Sequence, residues 1–175
     1  MSRPQPPPPA QLYLSILSSH LADLWDPVCR DLQDLFGPMD YVSDPFPFLE
    51  TGYYDAELGT PIMRRVVGFE RLLDQSRLPE AKLATNELEQ AYARTDGSRR
   101  LNLDPGLLCL ERLVLATGKN FSHRIYLGQG IWGDLTLIYR HKGWQSLPWT
   151  YPDYAGTILH GHLLELRQKY KKKLK

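Results

Sequence analysis

Residues 11–18 read QLYLSILS, a short and largely apolar run that is typical of a buried β-strand. After it, apolar residues recur with the three- and four-residue spacing of an amphipathic helix, at Leu21, Leu24, Trp25, Val28, Leu32, Leu35 and Phe36. Gly37 and Pro38 end this helix. Its beginning is open at Asp26 and Pro27: the helix either starts there, with Asp26 as the N-cap, or runs through them with a kink.

Two further strands are predicted before the second helix. The run MDYVSDPFPF (39–48) contains two prolines and therefore predicts an edge strand, or a strand that runs into a loop. Residues 51–61 predict a loop or a short turn of helix. The run RRVVGFERLL (64–73) predicts another strand.

The second helix lies within residues 79–94, where positions 84, 88, 91 and 92 form one apolar face. Its beginning has two interpretations. Either it starts near residue 79, or it starts late at a capping-box pattern formed by Asn86 and Glu89, which would leave 82–85 extended. With the strand signals that come next, the first half has the β-α-β-β-α-β order of a ferredoxin-like unit.

Strand signals dominate from residue 99 onward. The strand-like runs are RRLNL, LCLERLVLAT, HRIYL, IWGDLTLIYR and WQSL, and the sequences DPG, GKN, GQG and HKG between them predict turns. A helix over about 155–172 closes the chain, with apolar positions 158, 159, 163, 166 and 170 on one face. We therefore predict an α+β fold with a mostly antiparallel sheet, helices packed on it, a ferredoxin-like first half, and a C-terminal β-meander with a closing helix.

The net charge of +1 is unevenly distributed along the chain. Five lysines fall in the last seven residues, KYKKKLK, so residues 1–168 hold 16 basic and 20 acidic side chains. A body with net charge −4 lacks the broad basic surface of a protein that binds duplex nucleic acid. The lysine-rich end alone is a candidate contact for RNA, and its simpler interpretation is a frayed, solvated helix end.

The 175 residues predict one domain with two short extensions. Residues 1–10 are expected to be a disordered proline-rich leader, 11–168 a single α+β domain, and 169–175 a basic tail. Cys29 and Cys109 are isolated, and no apolar run approaches the roughly 18 residues of a membrane span. These features predict a cytoplasmic protein without a membrane segment.

The stretch NFSHRIYLGQG (120–130) predicts the first arm and the loop of a β-hairpin. A three-residue loop at 128–130 sets the register as Leu127 opposite Ile131, Tyr126 opposite Trp132, Ile125 opposite Gly133, Arg124 opposite Asp134, and His123 opposite Leu135. Arg124 then pairs with Asp134 across the strands. His123 falls on the inward apolar face with Ile125 and Leu127, either as a hydrogen-bonded core residue or as a catalytic group.

No motif in the chain identifies a reaction. There is no His-Glu-x-x-His pattern, no complete P-loop around Lys119 and no nucleophile motif, and the spacing of His160 and His162 keeps them off one helical face. We therefore predict no metal site and assign neither a cofactor nor an enzyme class.

Three polar clusters are left as candidate binding groups. One follows a strand face into the predicted Asp-Pro-Gly turn, one lies on the second helix, and one is an aromatic loop that is either a pocket wall or a rigid cover of the core. With the hairpin pair, the ligand-binding candidates are Lys82, Asn86, Arg100, Asn102, Asp104, His123, Arg124, Trp149, Tyr151 and Asp153. His123 and Asp104 are the catalytic candidates.

Four stretches, KLATNELE, RRLNLDPG, LVLATGKNFSHRIYLGQGIWGDLTLIYR and LPWTYPDY, resemble an uncharacterised bacterial family, the domain of unknown function numbered 4416. The likeness extends from about Gln11 to Lys169. An FxTxYY-like element of the family is altered here to Leu-Glu-Thr-Gly-Tyr-Tyr at 49–54. The resemblance implies a shared set of polar groups, and it supplies no function.

The leading hypothesis is a cytoplasmic domain that binds a small anionic ligand, a nucleotide or a phosphorylated metabolite, because arginine and lysine recur among the candidates. One alternative is a metal-dependent enzyme of phosphate-ester or nucleotidyl-transfer chemistry, with Asp104 and either Glu87 or Asp153 on a divalent ion and His123 as general acid or base. It requires two carboxylates to converge within about 5 Å of one ion or of the histidine. A second alternative is an RNA-associated accessory factor that uses the lysine tail as an electrostatic arm.

Overall fold

The computed structural model of the protein describes residues 3–175, so the first two residues of the predicted leader lie outside the described residues. Residues 3–9 are exposed and form no helix or strand. The strands of the described part are β1 (Ala10–Ser18), β2 (Met39–Val42), β3 (Phe46–Pro47), β4 (Met63–Leu73), β5 (Asn102–Leu108), β6 (Arg112–Thr117), β7 (Arg124–Gly128), β8 (Ile131–Arg140) and β9 (Gly143–Ser146). Its α-helices are α1 (Leu21–Phe36), α2 (Asp55–Leu58), α3 (Leu78–Ala91) and α4 (Thr157–Lys173).

The strands form one antiparallel sheet. Seven of them follow in the order β2-β4-β1-β5-β6-β8-β7, while β3 pairs with β4 and β9 pairs with β8. In the first half, the strand order β2-β4-β1-β5 and the connecting helices α1 and α3 give the ferredoxin-like arrangement. Beyond β5, the meander extends the same sheet. The predicted α+β class, ferredoxin-like half, meander and closing helix are confirmed.

Helices cover both faces of this sheet, which explains why all nine residues of β1 are buried. Leu12, Leu14 and Ile16 pack in one cluster with residues of α1 and α3. Tyr13, between them in sequence, packs in another cluster with residues of α4. Because neighbouring side chains of a strand point to opposite faces, we name these the α1/α3 face and the α4 face.

One row of laterally paired residues crosses the α4 face, and it consists of Tyr41, Gly68, Tyr13, Gly106, Leu115, Asp134 and Arg124. Its centre is Tyr13, whose ring is fully buried between the two glycines. A Cβ atom at Gly68 would overlap Leu166 Cδ2, so this glycine lets α4 approach the sheet. The far end of the row, at Asp134 and Arg124, belongs to the meander and carries polar side chains.

The sequence Asp104-Pro105-Gly106 is not a turn, and this prediction was wrong. It lies inside β5, where Pro105 pairs with Leu14 of β1. Pairing between β5 and β6 begins only at Gly106, so β5 has a single neighbouring strand at the proline and tolerates it as an edge strand would. The turn lies instead between β5 and β6, at 109–111, inside the run that was predicted as one strand.

Both helices with open starting points begin early. α1 starts at Leu21 and runs through Pro27. α3 starts at Leu78, with Pro79 in its first turn, so the capping box predicted at Asn86 and Glu89 is wrong. These two residues lie in the middle of the helix.

The lysine-rich end forms the last turn of α4, in which Lys171 and Lys172 are exposed and Tyr170 and Lys173 contact the sheet. Tyr170 is 2% exposed, and its hydroxyl donates to the carbonyl of Pro9. The Lys173 ammonium donates to Gln11 Oε1 at 2.6 Å and pairs with an Asp40 carboxylate oxygen at 2.8 Å. Among residues 3–175, every helix is too short or too polar to cross a membrane.

We expect Gly68→Ala to lower the free energy of unfolding by about 1–3 kcal/mol, because the added methyl group would force Leu166 and α4 away from the sheet. Urea unfolding followed by circular dichroism measures this loss. Gly118→Ala is the matched control, since a Cβ atom there meets nothing within 4 Å. Equal stability of the two variants would contradict the close packing of α4 on the sheet.

Candidate functional site

Two segments cover the part of the α4 face that lies beside α4, and we call the region beneath them the polar corner. One segment is 48–58, which contains α2, and the other is 147–154. The second is tied to β8, because Trp149 Nε1 donates to the carbonyl of Leu135 at 2.8 Å and Thr150 Oγ1 donates to that of Thr136 at 2.5 Å. The polar corner holds three clusters of charged side chains.

Asp134 is the centre of the first cluster. Its side chain is 3% exposed, and Oδ2 accepts a hydrogen bond from Arg124 Nε at 2.9 Å. Arg124 also donates from Nη1 to the carbonyl of Lys119 at 2.8 Å and from Nη2 to the hydroxyl of Tyr151. The predicted pairing of Arg124 with Asp134 is confirmed, and the same guanidinium also fixes the loop that carries Lys119.

His123 belongs to this cluster rather than to an inward apolar face. Since β7 begins at Arg124, His123 lies in the preceding turn and does not pair with Leu135. Its Nε2 lies 3.1 Å from Asp134 Oδ2, and its ring stacks on Trp149 with the centroids 5.1 Å apart. One buried carboxylate therefore binds both the imidazole and the guanidinium.

The hairpin keeps its predicted register at three pairs and departs from it at the loop. Gly128, instead of Leu127, lies opposite Ile131, and a bulge separates this pair from the regular ladder. Gln129 and Gly130 both have positive φ, 55° and 77°, as a two-residue turn requires. Ile125 is 73% exposed, so the face predicted to be inward lies in solvent at this position.

The second cluster completes the backbone of β5 where β6 is absent. The Leu103 carbonyl accepts from Lys82 Nζ at 2.9 Å, and the Leu103 N–H donates to Glu89 Oε1 at 2.6 Å. Both charged side chains are buried, with 8% and 5% exposed. Lys82 and Glu89 thus take the place of a neighbouring strand, and their role is structural.

Arg99 connects this cluster to α2. Its guanidinium pairs with Glu57 at 2.7 Å and with Glu89 at 3.1 Å, and it donates to Asn102 Oδ1 at 2.8 Å. The hydrogen bonds of Arg99 help hold the pKa of Glu57 below its usual value, whereas burial raises the pKa of Glu89. The Asn102 amide in turn donates to Asp104 Oδ2 at 2.5 Å. The network therefore occupies Asp104, one of the two carboxylates that were candidates for binding a ligand.

Two of the predicted binding residues, Asn86 and Arg100, take no part in the clusters around Asp134 and Arg99. Asn86 and Arg100 are half-buried, and within the described chain neither side chain makes a hydrogen bond or an ion pair. Asn86 lies on α3, and Arg100 lies just before β5. The sequence pattern selected Arg100, whereas the network is built on its neighbour Arg99.

The third cluster is centred on Arg64, which the sequence analysis missed. Its guanidinium lies 4.9 Å from the Phe48 ring centroid and 5.2 Å from that of Tyr154, and only 2% of the residue is exposed. It pairs with the Asp153 carboxylate and donates to the Asp153 carbonyl at 3.1 Å. Burial raises the pKa of Asp153, while the charge of Arg64 opposes this shift. Asp153 therefore anchors the segment 147–154 to β4.

A signal for Arg64 was present in the sequence. In the run RRVVGF, Arg64 alternates with Val66 and Gly68, which places the cation on an inward face. A charged residue in that register is buried only when it is paired, so it marks a contact with a distant segment.

Tyr54 lies among the three clusters. Burial raises the pKa of its hydroxyl, and the negative charges of Asp104 and Asp153 raise it further. Next to it, the Tyr53 hydroxyl lies 3.2 Å from Lys119 Nζ. The segment 48–58 thus spans the polar corner from β5 to the loop before β7.

The structure brings several predicted residues to the polar corner and leaves others elsewhere. Those around the corner are Asn102, Asp104, His123, Arg124, Trp149, Tyr151 and Asp153. Lys82 reaches its rim from α3 and touches Asp104 at 3.4 Å. Besides Arg64, the sequence analysis missed Lys119, Tyr53 and Phe121 as members of this region.

The carboxylates named for a metal-dependent reaction do not all lie on one face of the sheet. Glu87 lines a groove between α1 and α3, on the other face of the sheet. Asp134, the carboxylate bonded to His123, is two strands from Asp104, which is roughly 10 Å. Among residues 3–175, no three histidine, cysteine or acidic side chains are grouped so that they could hold a metal ion.

These features define a ferredoxin-like α+β protein with an extended sheet and a polar, aromatic corner on one face. The chain matches the family described as Domain of unknown function (DUF4416) over residues 8–170, and it belongs to that family. Neither a curated protein nor a solved structure matches it.

We expect Lys82→Met to lower the free energy of unfolding by about 1–3 kcal/mol, because it leaves the buried Leu103 carbonyl without this donor and removes one of the two cations near Glu89. Chemical denaturation of the two proteins measures the difference. Lys171→Met, at an exposed position of α4, is the control and should change stability little. A Lys82 variant as stable as this control would show that the lysine is not a structural part of β5.

Proposed function

We propose that this chain is a cytoplasmic, bacterial protein that binds a small anionic ligand, a nucleotide or a phosphorylated metabolite, at the outer side of the polar corner. Two free cysteines, Cys29 and Cys109, agree with a reducing compartment. The binding groups we assign are Lys119 and Arg124, surrounded by aromatic side chains.

The observation that carries this proposal is an excess of positive charge, because two cations, Arg124 and Lys119, lie near the single carboxylate of Asp134. Arg124 pairs with Asp134, and within the described chain Lys119 has no carboxylate within 4 Å. Lys119 is exposed, and among residues 3–175 its ammonium group has Tyr53 as its one hydrogen-bonding and cation–π partner. Arg124 uses three of its five N–H donors and its side chain is 7% exposed, so it is a fixed cation beside the site, and Lys119 supplies the exposed charge. A phosphate group matches this arrangement of a fixed guanidinium beside a free ammonium.

The surface around these cations suits a ligand with an apolar or planar part. The partly exposed side chains are those of Tyr53 at 68%, Phe121 at 63%, Tyr151 at 46% and Trp149 at 38%. The Phe121 ring lies 6.0 Å from the Arg124 guanidinium, and the Tyr53 ring lies 5.6 Å from the Lys119 ammonium. Aromatic rings beside fixed cations are a common way to bind nucleotides, since rings stack on bases while cations bind phosphates.

The two alternatives from the sequence receive no comparable support. Glu87 lies on the other face of the sheet from Asp104, and residues 3–175 hold no group of three side chains that could bind a metal ion. One lysine of the proposed RNA-binding tail, Lys173, is bound to β1 and Asp40.

We expect adenosine and guanosine phosphates or phosphorylated sugars to raise the melting temperature, and Lys119→Ala to weaken binding of the active compound by roughly tenfold or more. The loss follows from removing one charge-assisted contact to phosphate. Thermal shift identifies the compound, and isothermal titration calorimetry measures its dissociation constant. Arg100→Ala, tested in parallel, reports whether that unpaired cation also contributes.

Lys142→Ala is the matched control, because Lys142 is an exposed lysine in the turn between β8 and β9. It should leave the dissociation constant unchanged. The proposal is wrong if no compound of these classes binds, or if the Lys119 and Lys142 variants bind equally well.

A further inference from the structure

Strand β7 is an edge of the sheet that carries exposed apolar side chains. The opposite border is formed by β2 and β3, where Pro45 lies between the two strands and Pro47, inside β3, offers no N–H to a further strand. β7 contains neither proline nor lysine, and Ile125, Tyr126 and Leu127 are 73%, 55% and 40% exposed. An edge without such protection is suited to pairing with another strand.

The backbone of β7 has its free groups at Tyr126. The N–H of Arg124 donates to the carbonyl of Phe121, so it does not point toward β8. Because N–H and C=O groups alternate in direction along a strand, those of Tyr126 point away from β8 as well. The outer edge of β7 therefore presents the donor and the acceptor of one central residue.

We infer that a second copy of this chain pairs with β7 in antiparallel orientation, about a two-fold axis at Tyr126. In this register each Tyr126 lies opposite its own counterpart and exchanges two hydrogen bonds with it. Ile125 lies opposite Leu127 of the second copy, and Arg124 lies opposite Gly128 of the second copy. The two sheets then join into one continuous sheet.

The strand is complementary to itself in this register. The two-fold axis creates two identical apolar pairs, each of Ile125 with Leu127 of the other copy. Both pairs lie on the α1/α3 face, because Ile125 is opposite Gly133 on β8 and Leu127 lies over the same side of Gly133, where a Cβ atom would be. The only charge in β7, Arg124, pairs with Asp134 of its own chain and faces a glycine of the second copy, so no like charges oppose each other. A second copy is therefore the occupant that matches both the apolar and the charged positions.

The area available predicts the strength of the association. From the exposed fractions of its three apolar side chains and its free backbone, β7 would bury roughly 400 Å² per copy, or roughly 800 Å² in total. Stable interfaces bury about 1,200–2,000 Å². The pairing is thus a weak and reversible one, which forms as the protein concentration rises.

The test is sedimentation velocity of the full chain from low to high micromolar concentration. We expect the wild-type protein to shift from monomer to dimer and Ile125→Lys to stay monomeric, because the lysine opposes an apolar residue. Val42→Lys is the matched control, since Val42 is 44% exposed on β2 at the other border, and it should associate like the wild type. Circular dichroism verifies that both variants are folded.

A cysteine pair tests the register. Hydrogen-bonded antiparallel partners have Cα atoms about 5.5 Å apart, within the range of a disulfide, so Tyr126→Cys should form a covalent dimer on mild oxidation. Ile125→Cys faces a leucine and should crosslink no faster than the wild type, which has its own two cysteines. A wild-type chain that stays monomeric at every concentration overturns the inference, as does equal crosslinking of the two variants or dimerisation of the Ile125→Lys variant.

Discussion

The separation of β5 from β6 before Gly106, over residues 102–105, is the constraint on which the polar side of the molecule depends. The backbone of Leu103 has no strand beside it, and Lys82 and Glu89 supply the missing donor and acceptor. Burial of these two opposite charges is tolerated because each one is paired and hydrogen-bonded. Because no strand lies on that side of β5, Pro105 is tolerated within the strand. The same gap borders the polar corner that segments 48–58 and 147–154 cover.

In the polar corner, cations that are fully paired with carboxylates hold the structure together, whereas cations that are not fully paired are the candidates for binding a ligand. Arg64 and Arg99 are each paired with carboxylates and fix a covering segment, so the charge they carry is not available to a ligand. Arg124 is partly used, and Lys119 is free of carboxylates within the described chain. The positive charge that remains therefore lies on the outer side of the corner, among exposed aromatic rings, rather than in its buried centre.

Local patterns predicted the elements whose type follows from their own residues, and the one side-chain pair whose partners are near in sequence. β1, β4, α4 and the pairing of Arg124 with Asp134 follow from apolar spacing and from hairpin register. The failures involve distant partners. A turn preference at Pro105 was overridden by pairing with β1, and the capping-box pattern at Glu89 was overridden by a bond to Leu103, fourteen positions along the chain. Arg64 was missed because its partner, Asp153, is 89 positions away.

Because side chains alternate in direction along β7, the residues on its two faces have different proposed roles. Arg124 points to the α4 face, where Asp134 holds it, and Ile125 points to the α1/α3 face. A ligand on Arg124 and a strand along the edge would therefore meet different atoms of the same five residues. Because the buried carboxylate fixes Arg124, and Arg124 fixes the carbonyl of Lys119, the edge is held in place by the same bonds that position the cations. Asp134 thus links the proposed binding surface to the proposed edge of association.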